Sequence, residues 1–406
     1  MNKTVLLIGT LDTKGIEFDF VRQLILAQNT QVLLIDVGIF DSLTRADISA
    51  SEVARAGGQE LEDLRQSHDR NLAIETMIRG VEKITNELYQ QAKFDAVLSL
   101  GGSGGTAIAT AAMRQLPVGV PKLMVSTLAS GDISHYVDIK DICFMYSVVD
   151  IAGINPLSRK ILGNAVAMIL GTLHFSIPSE NEADKPLIAA SMFGVTTPCL
   201  TQLRTILEAQ GYELLVFHAT GSGGRAMESL IDAGFVQAVA DVTTTELCDE
   251  LIGGVLSAGP DRLQAAARQG IPQVVSVGAL DMVNFWAMDT IPSKFSERQF
   301  YKHNDNVTLM RTLPDENAQL GKILAEKVNQ STAPVTVILP LKGISMIDAQ
   351  GEAFYDPLAD QALFTAIREN LSERIERLEL DCHINDPEFA QAIADCLMKY
   401  IDVSEG

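Results

Sequence analysis

The chain has few cysteines, the residues that form disulfide frameworks and most structural zinc sites. Its 406 residues include five cysteines, which are scattered and never arranged as CxxC. Disulfide frameworks and structural zinc sites need paired or clustered cysteines, so neither is indicated. We expect most of these cysteines to be small buried residues.

Basic residues are also in short supply. Lysine and arginine number 31 against 52 aspartates and glutamates, which gives a formal net charge of -21. A surface that binds nucleic acid needs clustered cations, so the composition argues against a nucleic-acid partner. Any bound polyanion must therefore rely on backbone amides, a few local cations or a metal ion.

Long apolar runs are missing as well. The amino-terminal run is too short for a signal peptide, and the most apolar segment, ILGNAVAMILGTLHFSI, is interrupted by Asn164 and His174. This segment is typical of a helix that lies in a core or a dimer interface rather than in a membrane. We expect a cytoplasmic protein with no membrane partner.

What remains is typical of an α/β protein. Aromatic residues make up only 6% of the chain, and strand-like runs such as TVLLIG, QVLLID and DAVLSL alternate with helical patterns. This is the βαβ rhythm of a parallel sheet. A polar segment with two prolines at 176–186 predicts a linker, after which the rhythm restarts. We predict two Rossmann-like, doubly wound parallel-sheet domains, residues 1–180 and 181–406, that face each other across a cleft.

Two glycine-rich loops share the sequence Gly-Ser-Gly-Gly, and each lies between a strand and a helix. Such a junction presents unpaired helix N-terminal amides to an anion, and glycine lets the ligand approach the backbone. A chance glycine-rich turn is the alternative for either copy alone. The first loop comprises Gly101, Gly102, Ser103, Gly104, Gly105 and Thr106, and the second comprises Gly221, Ser222, Gly223, Gly224 and Arg225.

The ligand of these loops is a separate question. Both fit G-x-G-x-x-A, a variant of the dinucleotide fingerprint, which also needs an acidic residue about 20 positions further on. Only the second loop has one, Asp241, so a ribose-binding role for NAD stays open there. Neither loop is a Walker P-loop. We expect ATP at the first loop and an anionic substrate at the second, where Arg225 adds a cation.

The loop after the first strand also carries functional groups, namely Thr10, Asp12, Thr13 and Lys14. Lys14 suits a phosphate and Asp12 suits a magnesium ion, although helix capping explains the same residues equally well. With Asp36 after the second strand, they lie at the carboxyl edge of a parallel sheet. Open α/β sheets bind ligands at that edge.

Eleven phrases in order identify a resemblance. They are GTLDTKG, GGSGGT, VSTLASGD, YSVVDIAGIN, MFGVTTP, VFHATGSGGRAME, DVTTTEL, PQVVSVGALDMVNF, HNDNVTLMRT, LPLKGISMID and HINDPEFA. Together they resemble the uncharacterised family that includes the ATP-binding amino-terminal region of the tomato mosaic virus resistance protein. The resemblance covers nearly the whole chain.

The resemblance implies two Rossmann-like subdomains, ATP with Mg²⁺ in the first of them, and homodimers. It implies no reaction. It places nucleotide contacts on the loop after the first strand, on the first glycine loop, and on a third set of residues. That third set consists of Ser126, Thr127, Gly131 and Asp132.

The second half holds polar side chains suited to a small substrate. A histidine beside a carboxylate can act as a general base, although capping and buried hydrogen bonding explain most such residues. The candidates for catalysis are His218, Asp241, Glu246, Asp281, His303 and Lys342.

We therefore expect an ATP-binding cytosolic protein that couples the nucleotide to a small anionic or carbohydrate-derived substrate in the cleft between the domains. One alternative is a non-enzymatic module whose closure ATP controls. A further alternative is an NAD-dependent oxidoreductase, which depends on the second glycine loop and Asp241. The sequence itself does not decide whether the protein is an enzyme.

Overall fold

The computed structural model describes residues 3–175 and 185–404. The chain divides into two units, Met1–Glu180 and Asn181–Gly406. The linker predicted at residues 176–186 lies almost entirely outside the described residues.

The first unit alternates strands and helices in the way that its sequence predicts. Its elements are β1 (Thr4–Gly9), α1 (Leu11–Leu26), β2 (Gln31–Asp36), α2 (Ala50–Ala56), α3 (Leu61–Ser67), α4 (Arg70–Gln90), β3 (Ala96–Gly101), α5 (Ser103–Arg114), β4 (Lys122–Ser126), α6 (Ser134–Val137), β5 (Cys143–Tyr146) and α7 (Pro156–His174).

The sheet of the first unit is parallel throughout, with strand order β2-β1-β3-β4-β5. Alternate side chains of β1 face opposite layers, since Val5 and Leu7 pack with α1 and α7, whereas Leu6 and Ile8 pack with α2, α4 and α5. The helix that follows β1 therefore lies on one face of the sheet, and the helix that follows β3 lies on the other face. This reversal is a topological switch point, where open α/β sheets form a ligand crevice.

The second unit has the same construction with more elements. They are β6 (Leu187–Met192), α8 (Thr197–Ala209), β7 (Glu213–His218), α9 (Ser222–Asp232), β8 (Ala238–Thr243), α10 (Glu246–Ile252), α11 (Ala265–Gln269), β9 (Gln273–Gly278), β10 (Met282–Phe285), β11 (Phe300–Lys302), β12 (Thr308–Arg311), α12 (Pro314–Val328), β13 (Val335–Pro340), α13 (Pro357–Asn370), β14 (Glu376–Leu380) and α14 (Pro387–Ser404).

Its main sheet is also parallel, in the order β14-β13-β9-β8-β6-β7. Helices cover it on both sides: α8 and α14 pack on one face, and α9 to α13 supply the other packed layers. The two sheets confirm the predicted Rossmann-like α/β fold. A small antiparallel sheet, β10-β12-β11, was not expected, because its strands are only three or four residues long and carry no clear alternation.

Candidate functional site

A cavity of about 570 Å³ opens at the switch point of the first sheet. Its walls come from the loops after β1 and β2, from the junction of α3 and α4, and from the start of α5. The structure thus brings together the two regions of the first unit that the sequence singles out. The predicted residues that line the cavity are Thr10, Asp12, Thr13, Lys14, Gly102, Ser103, Gly104 and Gly105.

The first glycine loop presents free amides to this cavity. Gly102 is the N-cap of α5, and Thr106 N donates to its carbonyl oxygen. The N–H groups of Ser103, Gly104 and Gly105 have no hydrogen-bond partner in the described part of the chain. Unpaired N–H groups and the positive end of the helix dipole together attract an anion.

Asp12 links the first and second strand loops. Its Oδ2 accepts hydrogen bonds from Ile39 N and Phe40 N, both at 3.1 Å. Gly38 permits this approach, because a Cβ there would lie 2.5 Å from Asp12 Cγ. The second oxygen, Oδ1, is buried without a hydrogen-bond partner among the described residues. Asp12 therefore keeps one carboxylate oxygen available to a cation.

Lys14 lies at a kink in the first turn of α1, where its backbone is non-helical at φ -133°. Its Nζ donates to the carbonyl oxygen of Ile151 at 2.6 Å while the residue lines the cavity. Thr10 and Thr13 bond each other through their hydroxyls at 3.0 Å. The helix-capping alternative assigns the cap to Asp12 or Thr13. Asp12 instead accepts from amides of the loop after β2, and the Thr13 hydroxyl donates to the carbonyl oxygen of Thr10.

Asp36 connects the two strand loops that form part of the cavity wall. Its Oδ1 accepts from Leu11 N at 3.1 Å and from Gly38 N at 2.9 Å, so one buried carboxylate ties the loops after β1 and β2 together. Burial raises the pKa of Asp36 above its ordinary value, and the two amide hydrogen bonds oppose that shift. Asp36 is not among the cavity-lining residues.

The third predicted set lies beside the cavity instead of lining it. The Ser126 hydroxyl is 2.8 Å from that of Thr106, and its oxygen accepts from Leu128 N. Thr127 Oγ1 is 3.8 Å from the position of a Cβ on Gly102. Asp132 is exposed and accepts from Ser134 N at the start of α6. Gly131 closes the turn by donating to the carbonyl of Leu128.

Three cavity-lining residues with basic side chains are absent from the sequence-based prediction: Arg65, His68 and Arg70. Arg65 donates to the carbonyl of Ile39 and to Asp41, so it closes the wall between α3 and the second strand loop. They were missed because they lie at the end of α3, in the turn that follows it and at the start of α4, rather than after a strand. The Asp69 N-cap of α4 and the left-handed His68 are the local signals that mark this turn.

Arg70 is the first residue of α4 and has no hydrogen bond or ion pair among the described residues. A cation at a helix N-terminus opposes the helix dipole, so this position does not serve helix stability. Its Nη2 lies 3.9 Å from the position of a Cβ on Gly104. The guanidinium therefore reaches the same point as the free amides of α5.

The second glycine loop has the same letters and a different environment. The N–H groups of Gly221 and Gly224 both donate to Glu246 Oε1, at 2.7 and 3.0 Å. Glu246 is held in turn by the buried guanidinium of Arg262, which also pairs with Asp241. The protein's own carboxylate fills the anion position of this loop, with Ser222 and Arg225 in the following first turn of α9.

The NAD alternative depends on the same residues. Asp241 is buried in ion pairs with Arg262 and accepts a hydrogen bond from Ser191. A buried, paired carboxylate does not offer itself to a ribose hydroxyl. Gly223 has no room for a ligand on its side-chain face, since a Cβ there would overlap the carbonyl oxygen of His218.

The catalytic candidates are not assembled into one group. Asp241 and Glu246 meet at Arg262, and Asp281 is buried, accepts from Ser345 and has its pKa raised to about 6, with burial as the main cause. His218 and His303 are exposed, and neither ring bonds a carboxylate in the described part of the chain. Lys342 is exposed and pairs with Asp381. The described residues show no histidine–carboxylate pair among these candidates.

Two features are absent from the described residues. No group of three or more histidine, cysteine, aspartate or glutamate side chains is arranged to hold a metal ion. No helix within residues 3–175 and 185–404 combines the length and the apolar character needed to cross a membrane.

Comparison with known proteins identifies relatives over the whole chain. Residues 3–178 match the amino-terminal domain of the uncharacterised protein family UPF0261, and residues 185–401 match its carboxyl-terminal domain. A UPF0261 protein of Clostridium tetani is 50% identical over 404 residues, which cover 99% of this chain and all of that protein. The ToMV resistance protein Tm-1(GCR237) of Solanum lycopersicum is 44% identical over 336 residues, or 81% of this chain and 45% of that protein.

Solved structures resemble the chain only distantly. UDP-N-acetylglucosamine 2-epimerase from Rickettsia bellii aligns over 99% of this chain and 98% of its own, with 11% identity and a TM-score of 0.23. A similar protein from Listeria monocytogenes aligns over 94% and 99%, with 13% identity and a TM-score of 0.23. Similarity at this level carries no functional argument.

Proposed function

The chain belongs to the uncharacterised protein family UPF0261, and we propose that its amino-terminal domain binds ATP in the cavity at the switch point between β1 and β3. The observation that carries the proposal is the contrast between two loops that share the sequence Gly-Ser-Gly-Gly. The amides of the second loop are filled by Glu246, whereas those of the first loop are free and line a cavity.

The cavity suits a ligand that combines an apolar ring with phosphates. Its volume of about 570 Å³ lies within the usual range of small-molecule sites. Leu64, Ile74, Met77 and Ile108 supply apolar walls that would pack against a base. The amides of α5, Lys14 and Arg70 supply positive charge in a strongly acidic chain. The family resemblance favours ATP among the nucleoside phosphates.

A magnesium ion fits the donors of this cavity. Mg²⁺ usually binds proteins through one or two carboxylates and completes its shell with phosphate oxygens and waters. Asp12 offers its unpartnered Oδ1, and the remaining ligands would come from the nucleotide and solvent. Bound in this way, the ion would neutralise phosphate charge. The orientation of Asp12 is fixed by its bonds to Ile39 N and Phe40 N.

We propose that the domain binds ATP, and we do not include a reaction in this proposal. Coupling of the nucleotide to a small anionic or carbohydrate-derived substrate stays a prediction, because the candidates for catalysis are separated or engaged in ion pairs. The alternative of an ATP-controlled binding module needs only the cavity. We also propose a homodimer, as the family resemblance implies, and a cytoplasmic location, as predicted from the sequence pattern.

Isothermal titration tests the proposal with ATP, ADP, AMP, adenosine and NAD, each with and without Mg²⁺. We expect one ATP per chain, stronger binding with Mg²⁺, and progressively weaker binding as phosphates are removed. Failure of ATP to bind under all conditions, or binding of NAD but not ATP, would contradict the proposal. Release of ADP and phosphate during incubation would separate the enzyme from the binding module.

A further inference from the structure

We propose that Glu17 positions the Lys14 ammonium group for ligand phosphate, acting through the backbone of residues 147–155, which we name the strap. The inference rests on the proposed ATP site and deepens it. Glu17 is buried and is not among the residues that line the cavity. It would therefore influence the ligand only through Lys14.

The first step is the contact between Lys14 and the strap. Lys14 Nζ donates to the carbonyl oxygen of Ile151 at 2.6 Å. An ammonium group has three N–H donors, and the other two have no partner among the described residues. The strap therefore orients the ammonium group and leaves donors free for a phosphate.

The second step is the contact between the strap and Glu17. Glu17 is 3% exposed, and its Oε1 accepts a hydrogen bond from Gly153 N. Lys14 and Glu17 are three residues apart on α1, so both reach the same short stretch of the strap. Glu17 holds residue 153, and Lys14 bonds residue 151.

The strap is held tightly at other points as well. Ser147 N donates to the carbonyl of Ser126, and the side chain of Ile151 is buried in the core beneath α1 and α7. Val148 has φ +64°, an unusual value for a β-branched residue. Such conformations persist only where the surroundings determine them, and they cluster at ligand clamps and switches. The strap is thus a constrained support for Lys14.

A double-mutant cycle tests this role, with ATP and adenosine as probes and circular dichroism to check folding. We expect Glu17→Ala to weaken ATP binding about tenfold and to leave adenosine binding within about twofold. Glu17→Gln should restore ATP binding, because its amide oxygen can still accept from Gly153 N. In a Lys14→Ala background, Glu17→Ala should add less than about twofold. Lys83→Ala, an exposed lysine of α4, is the matched control.

The outcomes separate the inference from the proposed function. No ATP binding by the unaltered chain would remove both. The inference alone would be overturned if ATP binding depends on Lys14 but Glu17→Ala weakens ATP binding equally with and without Lys14. It would also be overturned if Glu17→Ala weakens ATP binding and adenosine binding equally. If Glu17→Ala does not fold, Gly153→Ala replaces it. The added Cβ of this variant has open space, but the backbone φ of +77° is strained for alanine. Gly153→Ala should therefore weaken ATP binding more than adenosine binding, and unchanged ATP binding would overturn the inference.

Discussion

The Nη2 atom of Arg70 lies 3.9 Å from the position that a Cβ would take on Gly104. The first residue of α4 and a glycine in the first turn of α5 thus lie beside each other in the cavity wall. The two residues come from different helices, and each places positive potential at a helix N-terminus. An anion at this point would contact backbone amides and a guanidinium at once.

Arg70→Ala should weaken ATP binding by about ten- to a hundredfold, because hydrogen bonds between a guanidinium and a phosphate are charge-assisted. Adenosine binding should change little. Titration calorimetry measures both ligands. Arg159→Ala is the control, since Arg159 is exposed on α7 and lies outside the cavity. Equal losses for ATP and adenosine would argue against a phosphate contact.

Gly104→Asp should abolish ATP binding without unfolding the chain. The nearest atoms to its Cβ are 3.9 Å away, so the side chain fits, but its carboxylate would occupy the anion position beside Arg70. Gly194→Asp is the matched control, because that glycine also has open space and lies in the second unit. Thermal-shift assays with ATP report the comparison. Retained ATP binding by folded Gly104→Asp would place the phosphates elsewhere.

Asp249 should make the stability of the second unit depend on pH. It is buried, it accepts from Asn284 N and Nδ2, and burial raises its pKa from 3.8 to about 7. The folded state therefore holds the proton more tightly than the unfolded state. This contribution to stability is complete below about pH 4 and is lost as the pH rises to about 7.

Asp249→Asn should remove that dependence. Between pH 5 and 7, the free energy of unfolding of the unaltered chain should fall relative to that of the variant by up to about 1.4 kcal/mol per pH unit. Urea denaturation followed by the fluorescence of Trp286 measures it, since this single tryptophan lies in the second unit. Exposed Asp395 provides the control variant, Asp395→Asn. A difference that stays constant with pH would contradict the assignment.

The chain should form a homodimer, with a mass by light scattering of about twice 43.9 kDa. The exposed face of α7 carries Leu157 and Met168, and exposed Phe175 follows as its C-cap residue. A helix with large exposed apolar residues is typical of an interface. Met168→Glu should shift the mass towards the monomer, whereas Met346→Glu, on a similarly exposed methionine of the second unit, should not. A monomer mass for the unaltered chain would exclude the dimer.

The sequence predicts the α/β architecture well, because buried parallel strands appear as continuous apolar runs and each is followed by a helical pattern. It also predicts that the loop after β1 and the first glycine loop meet, since both follow strands at the switch point. It does not reveal that the second glycine loop is filled by a carboxylate of the protein itself. The difference lies in Glu246, whose carboxylate reaches Gly221 and Gly224 only after folding.

Arg70 shows the other limit of prediction from sequence. It follows a break between two helices, and nothing in the local pattern indicates which cavity such a turn will border. Ser126 shows a related limit, because a residue at a strand end can turn inward and bond a neighbouring helix, as it does with Thr106. Side-chain direction at the sheet edge depends on tertiary packing, which a strand pattern does not contain.

Hydrogen–deuterium exchange of the full chain, with and without saturating ATP and Mg²⁺, tests the central claim most directly. The account predicts slower exchange at the amides of residues 103–105, which have no partner in the structure, and unchanged exchange at residues 221–224. Slower exchange at residues 221–224 without any change at residues 103–105 would contradict it, and so would no change at either loop.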